Sequence, residues 1–400
     1  MTRLFAPLSA EFGQTFDQIL TLIDRTFPLP GRFRAALPKD VAELSRLLTS
    51  DRKERGSSYL GKPALLSAYL RYFLPWNIFR LTRLLNTLPL DLKPNDAVND
   101  IGAGPLTFAI SLWLCRLDLR AVPLEFRCID KTPAVLETGK KLFAALTADS
   151  ICKWTIKTIK GELRNTRSKA SLSVEIKSKP AALSVVVNVY NELFWNLSPH
   201  DKDGLMQFAY ANGKLLLSLT ERSGFIFVME PGIPRSGEFI SLLRAGLINE
   251  GRNPIAPCTH FAPCPLAASL QQRGKGGKAK WCHFAFDTED APEKLHRLSV
   301  AANIPKERAV LSFILTGPAS SSKPTDKNRS KDAAQKIRVI SDSFPVGDAW
   351  GRYGCCEKGL VLVRVSRRGI DKTQSGGLVE LALDGTTDTK SGALVALKGG

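Results

Sequence analysis

The sequence lacks any long apolar run, which excludes a protein that crosses a membrane by helices. No run in the 400 residues approaches the ~18 consecutive apolar residues that a membrane-spanning helix requires. The N-terminus also lacks a charged start followed by an apolar segment and a cleavage site, and Glu11 and Asp17 argue against a transit peptide. We therefore expect a cytoplasmic protein with no membrane partner.

Acidic residues are scarce relative to basic ones. The chain has 56 Lys and Arg against 38 Asp and Glu, for a formal net charge of +18 at pH 7. This balance favours nucleic acid as a partner over the alternative of a merely soluble basic surface. The 8 Cys occur without a secretion signal, so metal binding or burial is favoured over disulfide bonds.

Residues 1–90 carry apolar and polar positions at helical spacing and predict an N-terminal helical region. We expect Pro38 just ahead of one helix, and we expect Pro75 to kink or split another. The predicted helices cover residues 11–26, 40–48 and 64–88. The aromatic residues of the last helix are expected in the core, with three arginines on its other face able to contact phosphate: Arg71, Arg80 and Arg83.

Residues 91–316 alternate apolar strand patterns with helical patterns, which predicts a mainly parallel sheet covered by helices on both faces. The continuous apolar run 183–189 is typical of a strand buried on both faces. The other strands are expected at 97–101, 124–129, 151–159, 171–176, 224–229 and 309–315, and the helices at 106–115, 134–146, 203–217 and 239–248. Residues 251–290 interrupt this alternation with Pro, Cys, His and Gly, and include a basic run at 273–280 that predicts a flexible loop.

The C-terminal part is less regular. Residues 317–336 form a polar segment that predicts a flexible linker. Residues 337–366 suggest a small β region, and residues 367–400 predict a weakly structured tail.

A glycine turn follows the first strand of the predicted sheet. Asp100, Gly102, Gly104 and Pro105 lie between that strand and the next helix, where glycines let the backbone approach a ligand. Dinucleotide-binding and S-adenosylmethionine-binding folds both use such a turn. A glycine at the third position of such a turn allows the close helix packing that a pyrophosphate needs. Thr107 occupies that position here, so this packing is lost. Because S-adenosylmethionine has no phosphate, we favour it over NAD.

Two further polar residues are expected at the same edge of the sheet. Asp130 ends the second strand, where its carboxylate can accept hydrogen bonds from ribose hydroxyls, and Asn188 ends a later strand. Amino-methylating enzymes often carry Asn or Asp followed by Pro-Pro-aromatic at that later position, whereas Val189 and Tyr190 follow Asn188 here. No catalytic residue is assigned, and a pocket that is retained without catalysis is the alternative.

The cysteines suggest a second site. Three of them lie in the Pro-rich segment with two histidines beside them: Cys258, Cys264, Cys282, His260 and His283. Cys355 or Cys356 is available as a fourth ligand. Thiolates suit zinc or an iron–sulfur cluster, and the spacing does not choose between them. The alternative is a set of unrelated buried thiols, which we expect of the remaining cysteines, Cys115, Cys128 and Cys152.

Seven motifs occur together between about residues 52 and 362: Tyr59-Leu60-x-x-Pro63, SAYLRYFLPWNIFRL, Asp100-Ile-Gly-Ala-Gly-Pro, Met229-Glu230-Pro231-Gly232, Cys258-Thr-His260 with Cys264, Trp281-Cys282-His283-Phe284, and Cys355-x-x-x-Gly359. The combination resembles the small-ribosomal-subunit-associated methyltransferase-like family, which is found on the mitochondrial small subunit and in many bacteria. The cysteine segment is the most specific part of this resemblance.

The resemblance implies a Rossmann-like methyltransferase domain that associates with the small ribosomal subunit and its rRNA, in maturation or translation. It also implies a four-iron–four-sulfur cluster held by Cys258, Cys264, Cys282 and Cys355, with Cys355 preferred because Gly359 follows at the family spacing. The main hypothesis is an S-adenosylmethionine-dependent rRNA methyltransferase. A non-catalytic rRNA-binding assembly factor is the alternative, and a metal-stapled RNA-binding protein unrelated to ribosomes is a third possibility.

Overall fold

The computed structural model describes nine stretches of the chain: residues 3–7, 10–51, 59–173, 180–198, 200–267, 280–319, 334–347, 349–365 and 374–397. Most of the basic run predicted at 273–280 and of the linker predicted at 317–336 therefore lies outside the described residues. Within these stretches, no helix is long and apolar enough to cross a bilayer.

The N-terminal region is helical, as predicted, with α1 (Ala10–Thr26), α2 (Gly31–Leu48), α3 (Pro63–Ala68) and α4 (Leu74–Leu85). The predicted start of α2 was wrong, because the helix begins at Gly31 and continues through Pro38. Leu37 and Val41 belong to a buried apolar stripe on both sides of Pro38, and their burial offsets the lost backbone hydrogen bond.

The segment around Pro75 is interrupted, as the sequence indicated. A five-residue π-helical turn, Tyr69–Phe73, joins α3 to α4. Pro75 cannot donate a backbone hydrogen bond, and its ring crowds the carbonyl of the preceding turn. A wider turn accommodates this clash, as π-bulges do in other helices.

The large sheet and its flanking helices occupy the middle of the chain. Its strands and a separate hairpin are β1 (Asp96–Ile101), β2 (Leu124–Asp130), β3 (Trp154–Lys160), β4 (Leu163–Asn165), β5 (Ala170–Leu172), β6 (Ala181–Val187), β7 (Thr220–Pro231), β8 (Arg252–Ala256), β9 (Phe284–Asp287) and β10 (Arg308–Ala319). The helices are α5 (Thr107–Cys115), α6 (Pro133–Thr147), α7 (Tyr190–Leu193), α8 (Lys202–Leu219), α9 (Pro234–Asn249) and α10 (Glu293–Ala301).

The large sheet has the strand order β3-β2-β1-β6-β7-β10-β8, with β9 also paired to β10. The five strands from β3 to β7 are parallel, whereas β10 is antiparallel to β7, β8 and β9. The sheet is thus mixed, and β8 and β9 lie in the segment where the sequence pattern breaks. The chain turns back at β1, which lies between β2 and β6, and such a reversal opens a crevice at the carboxyl ends of the strands.

Alternate residues of the central strands enter two different cores. Val98, Leu183 and Phe227 contribute to the core that the N-terminal helices share. Ile101 and Val186 contribute to the core under α8 and α9 on the opposite face. Because both faces are covered, the strands read as continuous apolar runs in the sequence.

A second sheet follows the large one. Its strands are β11 (Gln335–Val339), β12 (Phe344–Val346), β13 (Ala349–Cys356), β14 (Gly359–Val365), β15 (Leu378–Leu381), β16 (Leu383–Thr387) and β17 (Leu394–Leu397). The prediction of a weakly structured tail over 367–400 is wrong for β15, β16 and β17. Pairing of β15 with β11, and of β17 with β14, supplies backbone partners that short apolar runs do not reveal.

Candidate functional site

The glycine turn lies at the carboxyl end of β1, as predicted. Gly102 and Gly104 have φ of +75° and +54°. The backbone N–H groups of Gly102 and Ala103 both donate to the Ile129 carbonyl, at 2.8 and 3.0 Å, so the turn is fixed to β2. A Cβ at position 102 would lie 2.3 Å from Val189 Cγ2. Only glycine satisfies both the positive φ and this close approach.

Asp130 holds two backbone segments with one carboxylate. Its Oδ2 accepts from the Gly104 N–H at 3.1 Å, and its Oδ1 accepts from the Thr132 N–H at 2.9 Å. Burial raises the pKa of Asp130 against these two hydrogen bonds, which favour the charged form. An ionised carboxylate has about four acceptor positions, so capacity remains for a ligand hydroxyl.

Asn188 follows β6 in the left-handed region, with φ of +57°. Its Nδ2 donates to Asn77 Oδ1 at 3.4 Å, which links the end of β6 to α4. Its buried Oδ1 has no hydrogen-bond partner within the described residues. An unpaired buried acceptor carries a desolvation cost, and a ligand donor would remove that cost.

Glu230, at the end of β7, fixes the loop that follows β6, a role that the sequence motifs did not indicate. Its side chain is fully buried, and its two carboxylate oxygens accept from the N–H groups of Val189, Tyr190 and Asn191 at 2.8 to 3.1 Å. Burial raises the pKa of Glu230 to about 8, against these three donors. The carboxyl group thereby positions the loop that carries Asn188.

The predicted cofactor residues divide into two groups. Gly102, Gly104, Asp130 and Asn188 line a common cleft of about 350 Å³. Asp100 lies beneath the cleft wall with 1 % of its surface exposed, and burial together with the Asp130 charge raises its pKa to about 8. Pro105 is also buried away from the cleft, and its carbonyl fits against α6 where Gly139 leaves space.

The N-terminal helices close the other side of this cleft, which the sequence did not predict. Tyr59, Tyr69, Asn77 and Arg80 all line it. The Tyr59 hydroxyl donates to Glu192 Oε1 at 3.4 Å, so the N-terminal region is tied directly to the segment after β6. Burial raises the pKa of Tyr69 to about 12.

The three arginines expected to contact phosphate have different surroundings. Arg71 is buried and forms an ion pair with Asp24 at 3.0 Å, and Arg83 is buried beside Asp290. The expectation was wrong for these two, because their charges are neutralised within the protein. Arg80 lines the cleft.

Three of the predicted metal ligands lie near the fourth, Cys282, although they come from distant parts of the chain. Burial is the main cause that raises the pKa of Cys282, and the neighbouring thiols of Cys264, Cys258 and Cys355 raise it further. Burial likewise raises the pKa of Cys355 well above its ordinary value, and the thiols of Cys258, Cys264 and Cys356 raise it further. Cys258, Cys264 and Cys282 lie between β8 and β9 of the large sheet, and Cys355 lies in β13 of the second sheet.

Two guanidinium groups accompany these thiols. Arg244 Nε donates to Cys258 Sγ at 3.0 Å, and the charge of Arg338 lowers the pKa of Cys258 against burial, which raises it. Cys356 packs instead in the core of the second sheet. As they stand, no three His, Cys, Asp or Glu side chains of the described residues form a group that could hold a metal ion.

The two histidines beside the cysteines have different surroundings. His260 is buried, and its pKa is lowered to about 4 by burial and by the Arg244 charge. The His283 ring stacks on Trp281 with centroids 4.6 Å apart, and its Nδ1 lies 3.1 Å from the Trp281 carbonyl.

The family assignment rests on sequence. The model of the family described as mitochondrial small ribosomal subunit Rsm22 matches residues 90–343 of this chain. That is more than half of its 400 residues. The chain belongs to the Rsm22 family. The resemblance predicted from the motifs is thus confirmed, and the match includes Cys258, Cys264 and Cys282 but ends before Cys355.

Solved structures with some likeness to this Rsm22 family member are methyltransferases. A Listeria monocytogenes protein described as a class I S-adenosylmethionine-dependent methyltransferase shares 11% identity over 80% of this chain and 92% of its own, with a TM-score of 0.36. A Geobacter metallireducens precorrin-6y C5,15-methyltransferase shares 10% identity over 60% of this chain and 88% of its own, with a TM-score of 0.32. Such low scores carry no functional argument. No curated protein matches the sequence.

Proposed function

We propose that this Rsm22 family member binds S-adenosylmethionine in the cleft and acts as a methyltransferase-like protein on the rRNA of the small ribosomal subunit, in its maturation or in translation. The observation that carries the proposal is the cleft at the reversal of strand order, with Gly102, Gly104 and Asp130 on its wall. The family name and the net charge of +18 support the small subunit and its RNA as the partner. The expected cytoplasmic location stays a prediction.

The cleft residues fit such a cofactor. Asp130 retains acceptor capacity for ribose hydroxyls, and the glycine turn at Gly102 has no side chain between its backbone and a ligand. Asn188 Oδ1, which has no hydrogen-bond partner within the described residues, could accept from a donor of the cofactor. When bound, S-adenosylmethionine supplies a methyl group on a positively charged sulfur. The chain's contribution is to orient the two reactants, because methyl transfer depends mainly on in-line positioning.

Two measurements test this function. The full chain should bind S-adenosylmethionine in a calorimetric titration, and Asp130→Asn should weaken binding by roughly tenfold through loss of a charge-assisted hydrogen bond. Lys157→Gln, which removes a charge outside the cleft, is the control. Small subunits isolated from cells without the protein should accept methyl groups from S-adenosylmethionine when the wild-type chain is added. Cofactor binding without methyl transfer to any assembly intermediate would refute the methyltransferase activity and support only the cofactor-binding site.

The second candidate is a non-catalytic rRNA-binding assembly factor. Its supporting observation is the segment after β6, where Val189 and Tyr190 replace the expected Pro-Pro and the Asn188 amide nitrogen already donates to Asn77. A cleft variant that loses cofactor binding yet restores subunit maturation in deficient cells would favour this candidate. Loss of maturation, with normal folding and subunit binding, would count against it.

The cysteine cluster is proposed to hold a four-iron–four-sulfur cluster through Cys258, Cys264, Cys282 and Cys355, with zinc as the alternative. After burial, the thiols of Cys264, Cys258 and Cys355 all raise the pKa of Cys282, which supports a common site. Arg244 and Arg338 would balance the negative charge of the thiolates. Such a group would link the surroundings of the large sheet to the second sheet and stabilise both.

Metal analysis decides between the two metals. Protein purified without air should be brown and should contain about four iron atoms and four sulfides per chain, as this cluster type requires. Colourless protein with one tightly held zinc ion would overturn the iron–sulfur assignment while keeping the site. Absence of both metals from protein purified anaerobically from its own cells would overturn the site as well.

A further inference from the structure

Two cationic side chains line the same cleft as the glycine turn. Arg80 comes from α4, and Lys306 comes from the segment between α10 and β10, and both line the cleft. The two are close enough that the Arg80 charge, after burial, contributes to lowering the pKa of Lys306 to about 8. Neighbouring cations in a partly desolvated place repel each other, so their proximity needs a compensating group.

The protein supplies Arg80 with only part of that compensation. Its Nη1 donates to the Val310 carbonyl at 3.1 Å and its Nη2 to Asn77 Oδ1, while its buried Nε has no partner within the described residues. Burial lowers the pKa of Arg80, and within the described residues Glu230 is the carboxyl group whose charge opposes that shift. Its oxygens already accept from three backbone N–H groups.

Lys306 has less compensation still. In the described part of the chain no carboxylate pairs with its ammonium group, and burial and Arg80 are the two causes that shift its pKa. Its Nζ lies 5.7 Å from the centre of the Trp76 ring, and its carbonyl accepts from Thr288 Oγ1 at 2.6 Å. The backbone is thus fixed, and the side chain lines the cleft with no acidic partner among the described residues.

Arg80 shares the acceptor Asn77 Oδ1 with Asn188, but it is anchored on a different strand from the glycine turn and Asp130. Gly102 and Asp130 follow β1 and β2, whereas Arg80 contacts Val310 of β10. Three strand steps separate β1 from β10 in the sheet. At about 4.8 Å for each step, the distance along the sheet edge is about 14 Å.

We propose that Arg80 and Lys306 form an anion subsite at the substrate end of the cleft, which binds a phosphate group of the RNA nucleotide presented to it. The inference deepens the proposed function and rests on it for the identity of the substrate. A phosphate offers several acceptor oxygens to a guanidinium and an ammonium group, and such charge-assisted hydrogen bonds are stronger than neutral ones. The subsite positions the nucleotide and reads no base.

The test compares nucleotides with nucleosides. The four nucleoside 5′-monophosphates, the four nucleosides and inorganic phosphate are titrated against the full chain, with and without S-adenosylhomocysteine. Lys306→Gln should weaken binding of the monophosphates by roughly tenfold, the loss expected for one charge-assisted hydrogen bond, and should leave nucleoside binding unchanged. Lys306→Arg should retain most of the affinity. The control is Lys294→Gln, which removes one lysine charge from α10, where Lys294 pairs with Asp24 outside the cleft. This variant should bind the monophosphates as the wild type does.

Several results would overturn the subsite. Equal loss of monophosphate and nucleoside binding in Lys306→Gln would indicate damage to the cleft, and thermal unfolding of the same variant would show it. Weaker binding of S-adenosylmethionine but not of methylthioadenosine would assign the two cations to the cofactor carboxylate. Failure of the wild-type chain to bind S-adenosylmethionine would refute the proposed function alone, because the phosphate titrations without cofactor still decide the subsite.

Discussion

The cleft and the cysteine cluster are built in opposite ways. One wall of the cleft depends on backbone at the ends of neighbouring strands, where Gly102 leaves space and Glu230 holds three N–H groups. The cysteine cluster is formed by side chains from segments almost a hundred residues apart, from Cys258 to Cys355. We therefore expect the cleft to be disrupted most by substitutions that add a side chain, and the cysteine cluster by substitutions that remove a thiol.

The largest effect is expected from two adjacent cysteines of β13. Cys355→Ala should abolish metal binding and destabilise the protein by at least about 3 kcal/mol, because binding of a structural metal is coupled to folding. Cys356→Ala should keep the metal and cost only about 1 kcal/mol, since Cys356 packs in the other core. Metal content and urea unfolding measure both. Equal metal loss in the two variants would contradict the assignment of Cys355.

A methyl group added to the turn tests the opposite sensitivity. Gly102→Ala should cost about 3 kcal/mol, from its positive φ and the clash with Val189, and should abolish cofactor binding. Gly104→Ala has a positive φ but open space around the added carbon, so its cost should be about 1 kcal/mol. Urea unfolding and calorimetric titration compare them. Similar costs would mean that the contact with Val189 is unimportant.

The buried acids Asp100 and Glu230 near the cleft should make the free energy of unfolding depend on pH. The pKa of Asp100 is raised to about 8, so between pH 6 and 8 the folded state binds more protons than the unfolded state. Stability should therefore fall as pH rises, by up to about 2 kcal/mol from Asp100 over this range. Asp100→Asn should reduce this slope, while Glu230 maintains part of it. An unchanged slope in urea unfolding across pH would exclude Asp100 as the cause.

The smallest effect is expected where the N-terminal region meets the cleft. Tyr59→Phe removes the hydrogen bond to Glu192, which at 3.4 Å is long, and should lower stability by less than about 1 kcal/mol. Limited proteolysis of the N-terminal region and cofactor affinity should change slightly. A loss of several kcal/mol would show that the contact carries more of the closure of the cleft than its geometry indicates.

Local sequence predicted the cleft better than its surroundings. The strand, the glycine turn and Asp130 were found because buried parallel strands read as apolar runs and their polar ends converge. Asp100 and Pro105 were placed in the same site by proximity in sequence, yet the turn directs them into the protein. Glu230 had a visible signal, an acid that ends a buried strand, but its role depends on a loop forty residues earlier.

Long-range packing accounts for what the sequence did not reveal. The contribution of Tyr69 and Arg80 to the cleft depends on how the N-terminal helices pack on the sheet, which helical periodicity leaves open. The tail strands β15 and β17 are short and gain their order from pairing with distant strands. Three cysteines could be grouped by their Pro-rich setting, and the family resemblance favoured Cys355 over Cys356 as the fourth. The opposite placement of Cys355 and Cys356 in two cores depends on the register of β13.

The π turn Tyr69–Phe73 sets the rotational phase of α4. A π turn contains one residue more than an α turn, and each residue of an α-helix advances the chain by about 100°. Deleting one residue from this turn would restore α geometry and rotate α4 by about that angle relative to α3. Arg80 and Asn77 would then leave the cleft wall. One extra residue thus determines which side chains the N-terminal region presents to a ligand.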